Sequence, residues 1–164
     1  MYDIRFMQSL FPAAEAEAAA MGEREPGAEH LILASLEFQE GSARRVFHRI
    51  GADPDQFRAA VAEQHADALR SIGIDDGAAS LDERLPPPAE RPSGIYHSAP
   101  TARQVFPEVV KLVKRDKSKL SGAYILLVAS RIEHGTTARA LAAMGIDRSE
   151  LEAAAQAEVD ALNA

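Results

Sequence analysis

GSARRVFHRIGAD, residues 41–53, returns 94 positions later as GTTARALAAMGID, residues 135–147. The offset keeps Gly41 on Gly135, Gly51 on Gly145 and Asp53 on Asp147. It also places Leu31 on Ile125, Leu33 on Leu127, Phe38 on Ile132 and Phe57 on Leu151, and AEHLILA (28–34) on GAYILLV (122–128). Upstream, LFP at 10–12 matches VFP at 105–107 once a single residue is gapped. One shared glycine spacing is commonplace. Agreement over about 50 residues marks a tandem duplication.

Each unit reads as four helices. In the first, Phe6, Leu10, Ala14 and Ala18 recur at helical spacing and stop near Gly22. A second helix follows Pro26-Gly27, and its apolar residues at 31, 32, 33, 34, 36 and 38 wrap most of the circumference, the mark of a central, buried helix. Ser42 is placed to cap a short third helix ending at Gly51, a residue type favoured just past a helix end. Asp53-Pro54 then opens the fourth, with Asp53 as cap and Pro54 in the first turn. Thr101, Ser121 or Gly122, Thr136 and Asp147 open the corresponding helices of the second unit. The expected organisation is 1–73 for the first repeat, 74–97 for a linker rich in Asp, Gly and Pro, and 98–164 for the second repeat. The two repeats together should make one compact all-α domain, with eight helices about a pseudo-twofold axis.

Composition supports helix. Hydrophobic residues make up 46% of the chain but aromatics only 5%, and alanine is abundant. There is no cysteine, which excludes disulfides and thiolate metal sites and suits a reducing compartment. MYDIRFMQSLFP carries no long apolar core of a signal peptide, and no run approaches the ~18 apolar residues of a membrane span. The expected location is the cytoplasm, with no membrane partner. Net charge is −7, so nucleic acid is not an expected partner.

These residues resemble the N-terminal repeat domain of Clp/Hsp100 unfoldases, and the ClpC branch most. The E-H-L-L-type helix and the G-x-A…G-x-D segment carry the resemblance, and TARQVF opens the second unit. The resemblance implies a non-enzymatic module that docks proteins or peptides, whether substrates, adaptors or Clp ATPase components, and that small molecules aimed at such domains also reach. No G-x-x-x-x-G-K-[ST] phosphate loop occurs in these residues, so ATP hydrolysis is not expected of them and no cofactor is called for. A docking domain is expected here without its motor, one that presents, competes for or sequesters ligands of a full unfoldase. The alternative is a small helical hydrolase or transferase. That would need an activated nucleophile, and His97-Ser98 has no evident third partner.

Glu29 is the candidate ligand-binding residue. As an acid in the first turn of a helix it is stabilised by ~0.3–1 kcal/mol through the dipole and needs no ligand. As a carboxylate it also matches a fork-shaped guanidinium. The resemblance implies phosphoarginine recognition at this glutamate, but Ala28 replaces the usual threonine before it. In the second unit the pair has become Ala123-Tyr124. His30 is expected to be a core residue with one hydrogen bond, and the other histidines lack metal spacing. No catalytic or metal-binding residue is assigned. All four lysines fall in KLVKRDKSK, residues 111–119. Lys111, Lys114, Arg115, Lys117 and Lys119 are either a solvated helix end or a docking patch for an acidic partner.

Overall fold

The computed structural model describes residues 4–73 and 95–164. Among them the first unit supplies α1 (Ile4–Ala20), α2 (Ala28–Leu36), α3 (Ser42–Arg49) and α4 (Asp55–Ser71). After a 3-10 turn at Ile95–His97, the second supplies α5 (Pro100–Asp116), α6 (Gly122–Ala129), α7 (Thr136–Ala143) and α8 (Arg148–Asn163). No strand occurs among the described residues. The expected linker lies, up to residue 94, outside them.

Both apolar repeats become central helices. Every residue of α2 and α6 is buried, and the two helices pack on each other. Each aliphatic side chain among them contributes roughly 1.5–3 kcal/mol through loss of water contact. Of the remaining helices, α1 packs on α2, and α5 and α8 pack on α6, within their own units, while further contacts run crosswise. α4 of the first unit packs on α7 of the second, and α8 of the second packs on α3 of the first. The duplicated LFP and VFP segments meet as well: Phe11 and Phe106 stand edge to face, with ring centroids 4.9 Å apart. Buried side chains of both units therefore form one contiguous cluster.

Several helix starts differ from expectation in a common way. Asp147 does cap α8, its carboxylate accepting from the N–H groups of Ser149 (2.7 Å) and Glu150 (3.2 Å). Asp53 accepts from Asp55 N–H at 2.9 Å, one residue earlier relative to the helix than expected. Ser42, however, does not cap α3. That start is a left-handed Gly41, and the N–H of Ser42 goes to the carboxylate of Glu40 at 3.0 Å. Ser121 precedes α6 without capping it, and α5 starts at Pro100, before Thr101. The hydroxyls of Ser42 and Thr101 are used across the unit boundary instead, whereas that of Ser121 is buried without a hydrogen-bond partner.

Candidate docking site at the heads of the central helices

The head of α2 brings four polar groups together in a nearly dry place. The carboxylate of Glu29 folds back over Gly27, where an added Cβ would meet it at 2.7 Å. Its side chain keeps only 8% exposure. Oε2 accepts from the hydroxyl of Thr137, on α7, at 3.3 Å, and Oε1 takes no hydrogen bond from any described residue. His30 is wholly buried and has the single hydrogen bond expected of it: Nδ1 accepts from Gly27 N–H at 2.9 Å. That bond requires a lone pair on Nδ1, so the ring proton of the neutral imidazole sits on Nε2. Nε2 has no hydrogen-bond partner and lies 3.9 Å from Glu23, whose other oxygen is 2.9 Å from His65. The N–H of Ala28 donates to the hydroxyl of Thr101 at 3.1 Å.

Potential metal-ligand atoms of Glu23, Glu29 and His30 lie within 4.8 Å of one another. The imidazole orientation opposes a metal there. Coordination at Nε2 would move the ring proton to Nδ1 and point it at the N–H of Gly27, costing α2 its cap.

The head of α6 is built differently. Glu40 Oε1 accepts from Gly122 N–H and Ser42 Oγ accepts from Ala123 N–H, both at 2.9 Å. Gly122 lies so close to α3 that a Cβ on it would come within 2.7 Å of the Cβ of Ala43. Tyr124, at the position of His30, is wholly buried; its hydroxyl donates to Asp116 and accepts from Asn163, both at 3.0 Å. Glu29 therefore has no counterpart here, and the first unit's own carboxylate fills the helix end.

Lys111, Lys114, Arg115, Lys117 and Lys119 are all exposed, along the last turns of α5 and the loop beyond. They are not all unengaged. Lys111 is 3.9 Å from Glu108, and Arg115 donates to Asp116 at 2.7 Å. The guanidinium beside it holds the Asp116 carboxyl below the usual range; partial burial opposes this, and the Tyr124 hydroxyl adds to it. The stretch at the same place in the first unit, EAEAAAMGERE (15–25), is acidic; Glu17 there is paired with Arg58, and Glu23 lies 2.9 Å from His65 Nδ1.

A second ion cluster joins the units at α3 and α8. Arg45 and Arg49 both donate to Glu158, which is almost fully buried. Burial pushes the Glu158 carboxyl up, but the hydrogen bonds and charges of the two arginines outweigh it and hold the group below its ordinary value. No helix among the described residues is long and apolar enough to cross a membrane.

Glu40 and Thr137 were not singled out on sequence grounds, and Ser42 and Thr101 only as residues opening their own helices. Each donates or accepts across the two units, at separations of 73 to 108 residues. The only available hint was the second unit's loss of its Glu-His pair.

This geometry defines a class: an all-α tandem repeat with two buried central helices whose N-termini lie at the junction of the units. The Clp repeat (R) N-terminal domain family matches residues 5–91, and the chain belongs to that family. It is 34% identical over 70 residues to the chaperone protein ClpC1, chloroplastic, of Oryza sativa subsp. japonica. It has the same identity over the same length with the chaperone protein ClpC of Pisum sativum, also chloroplastic. Identity is 33% with the ClpA homolog CD4B, an ATP-dependent Clp protease ATP-binding subunit from Solanum lycopersicum. Each alignment covers 43% of this chain and 8% of the relative, so the chain spans a small fraction of these proteins.

Proposed function

We propose that this Clp N-domain-like module is a non-enzymatic, cytoplasmic docking protein that presents, competes for or sequesters protein and peptide ligands of a ClpC-type unfoldase. Membership of the Clp repeat family is the observation that carries this reading. The exposed cations from Lys111 to Lys119 are the proposed docking patch for an acidic partner surface, where charge raises the rate of encounter more than the affinity. Co-elution of the purified protein with a ClpC-type ATPase, weakened when Lys114, Lys117 and Lys119 are changed to Glu, is the expected result. ATP turnover that follows the protein through successive columns would refute the non-enzymatic reading.

Within that module Glu29 is proposed as the cation-recognising carboxylate, with phosphoarginine as its ligand. Support comes from its chemistry: a nearly buried carboxylate whose Oε1 has no donor is short of the hydrogen bonds such a group normally receives. A guanidinium could supply a bidentate pair, once the Thr137 contact is given up. Calorimetry with phosphoarginine should give one site per chain and none in Glu29→Gln. Absence of heat at millimolar phosphoarginine would remove this ligand from consideration while leaving the docking patch untouched.

A further inference from the structure

The crosswise packing of α4 on α7 and of α8 on α3 brings the two duplicated G-x-D turns side by side. Each turn closes its helix in the same way. Gly51 N–H donates to His48 C=O and Ala52 N–H to Phe47 C=O; 94 residues on, Gly145 N–H donates to Ala142 C=O and Ile146 N–H to Leu141 C=O. Both glycines are left-handed, with φ of 67° and 71°. Between these matched turns lies a cavity of about 320 Å³, lined almost entirely by residues equivalent through the duplication. It lies at the junction of the two repeats and is separate from the heads of α2 and α6.

Its walls are chemically two-sided. Ile50, Ala52, Met144 and Ile146 line it and are each half-buried, giving an aliphatic surface. Asp53, Gln56 and Glu150 add exposed polar side chains, and no cationic residue lines the cavity. Gln56 and Glu150 occupy equivalent positions, yet only the second is charged, so the duplication's symmetry is broken by one carboxylate. Asp53 already spends one oxygen on Asp55 N–H, but no described group donates to the Glu150 carboxylate or bonds the Gln56 amide.

We propose that this cavity is a second peptide site, which takes one arginine or lysine side chain from an extended peptide. The aliphatic stem would lie along Ile50, Ala52, Met144 and Ile146, and the cationic head would meet Glu150 and Asp53. Long basic side chains combine an apolar stem with a charged tip, the two surfaces offered here. The volume is at the lower end of small-ligand pockets, enough for one side chain and its backbone. An acidic or wholly apolar ligand would leave one half of the lining unmatched.

The test is titration of the full chain with the peptide acetyl-Gly-Val-Arg-Val-Gly-amide, followed in amide proton–nitrogen spectra. The expected result is that the Gly51 and Gly145 amides move together along one saturating curve. The same peptide with citrulline in place of arginine, equal in shape but neutral, should bind at least about tenfold more weakly. Glu150→Gln, an exposed change that spares the fold, should weaken the arginine peptide by about tenfold, whereas Glu29→Gln should leave the Gly51 and Gly145 shifts intact. The proposal is overturned by equal binding of the citrulline peptide, by shifts confined to Gly27 and Thr137 or to the Lys111–Lys119 stretch, or by no shift of Gly51 and Gly145 at millimolar peptide.

Discussion

The heads of α2 and α6 descend from the same sequence element and solve the same problem with different atoms. Both helices start in a buried place, where their first N–H groups need acceptors. α2 uses its own His30 and the Thr101 hydroxyl, and keeps the Glu29 carboxylate above Gly27. α6 has no such pair and takes its acceptors from Glu40 and Ser42 of the other unit. One head holds an acid with unused hydrogen-bonding capacity, while the other has its N–H groups occupied from within. Duplication followed by divergence at Gly122, Ala123 and Tyr124 thus leaves a single candidate carboxylate where two equivalent ones would be expected.

The largest predicted effect concerns the dependence of each head on the opposite unit. Expressed separately, residues 1–73 and 95–164 should each lose most of their helicity in circular dichroism, because each leaves its central helix uncovered and without the acceptors the other unit supplies. Mixing the two should recover it. Two stably helical halves on their own would show that the heads are not mutually dependent.

Next comes the close approach at α6. Gly122→Ala would ordinarily favour a helix, yet here the new Cβ has to displace Ala43. A cost of about 1–3 kcal/mol is expected, seen as a melting temperature lower by several degrees. Ala43→Gly in the same chain should recover part of it. Ala28, the equivalent of Gly122, already carries a Cβ, and the asymmetry should vanish if thermal melts find no cost for Gly122→Ala.

A smaller effect separates the two interfaces between units by pH. The Glu158 pKa is depressed in the folded state, so its stabilising contribution is fully present above its unfolded value near ~4.3 and is lost as pH falls through the lower folded value. Glu158→Gln should therefore cost about 1 kcal/mol at neutral pH, limited by half-exposed arginines that water can reclaim, and should flatten the decline in stability below about pH 4. The equivalent position at the α4–α7 interface is Gln64, and Gln64→Glu should produce no comparable gain, since Ala143 replaces the second arginine there. Urea titrations from pH 2.5 to 7 would measure both.

The smallest effect is at Glu29 itself. With no ligand present, Glu29→Gln should change stability by a few tenths to ~1 kcal/mol, the scale of an acid acting on a helix dipole. A loss several times larger in denaturant titrations would mean that the carboxylate holds the two units together through Thr137, making its role structural.

Much of the fold was legible because duplication repeats its own evidence. The 94-residue offset aligned the apolar positions of α2 and α6 before any contact was known, and their unbroken hydrophobicity announced that they would be central. His30 was readable as a core residue with one hydrogen bond, since a semi-polar ring beside a run of aliphatics has few other stable fates. The candidate site was less legible. Ser42 and Ser121 have the right chemistry and position for capping their own helices, and local sequence holds no sign that Ser42 would serve α6 instead, or that Glu40 would join it.

The sequence by itself determined the repeat, the helical class, the burial of α2 and α6, and the uniqueness of Glu29, because each follows from residue type and periodicity within a few turns. Only the tertiary structure decided which side chains cap which helix, that α4 packs mainly across onto α7 while α8 packs both on its own α6 and across on α3, and that the two G-x-D turns flank a cavity. Those outcomes depend on groups 73 to 113 residues apart arriving within 3.5 Å of one another. Such meetings are set by how helices pack in three dimensions, where a residue's neighbours along the chain carry almost no information about its neighbours in space.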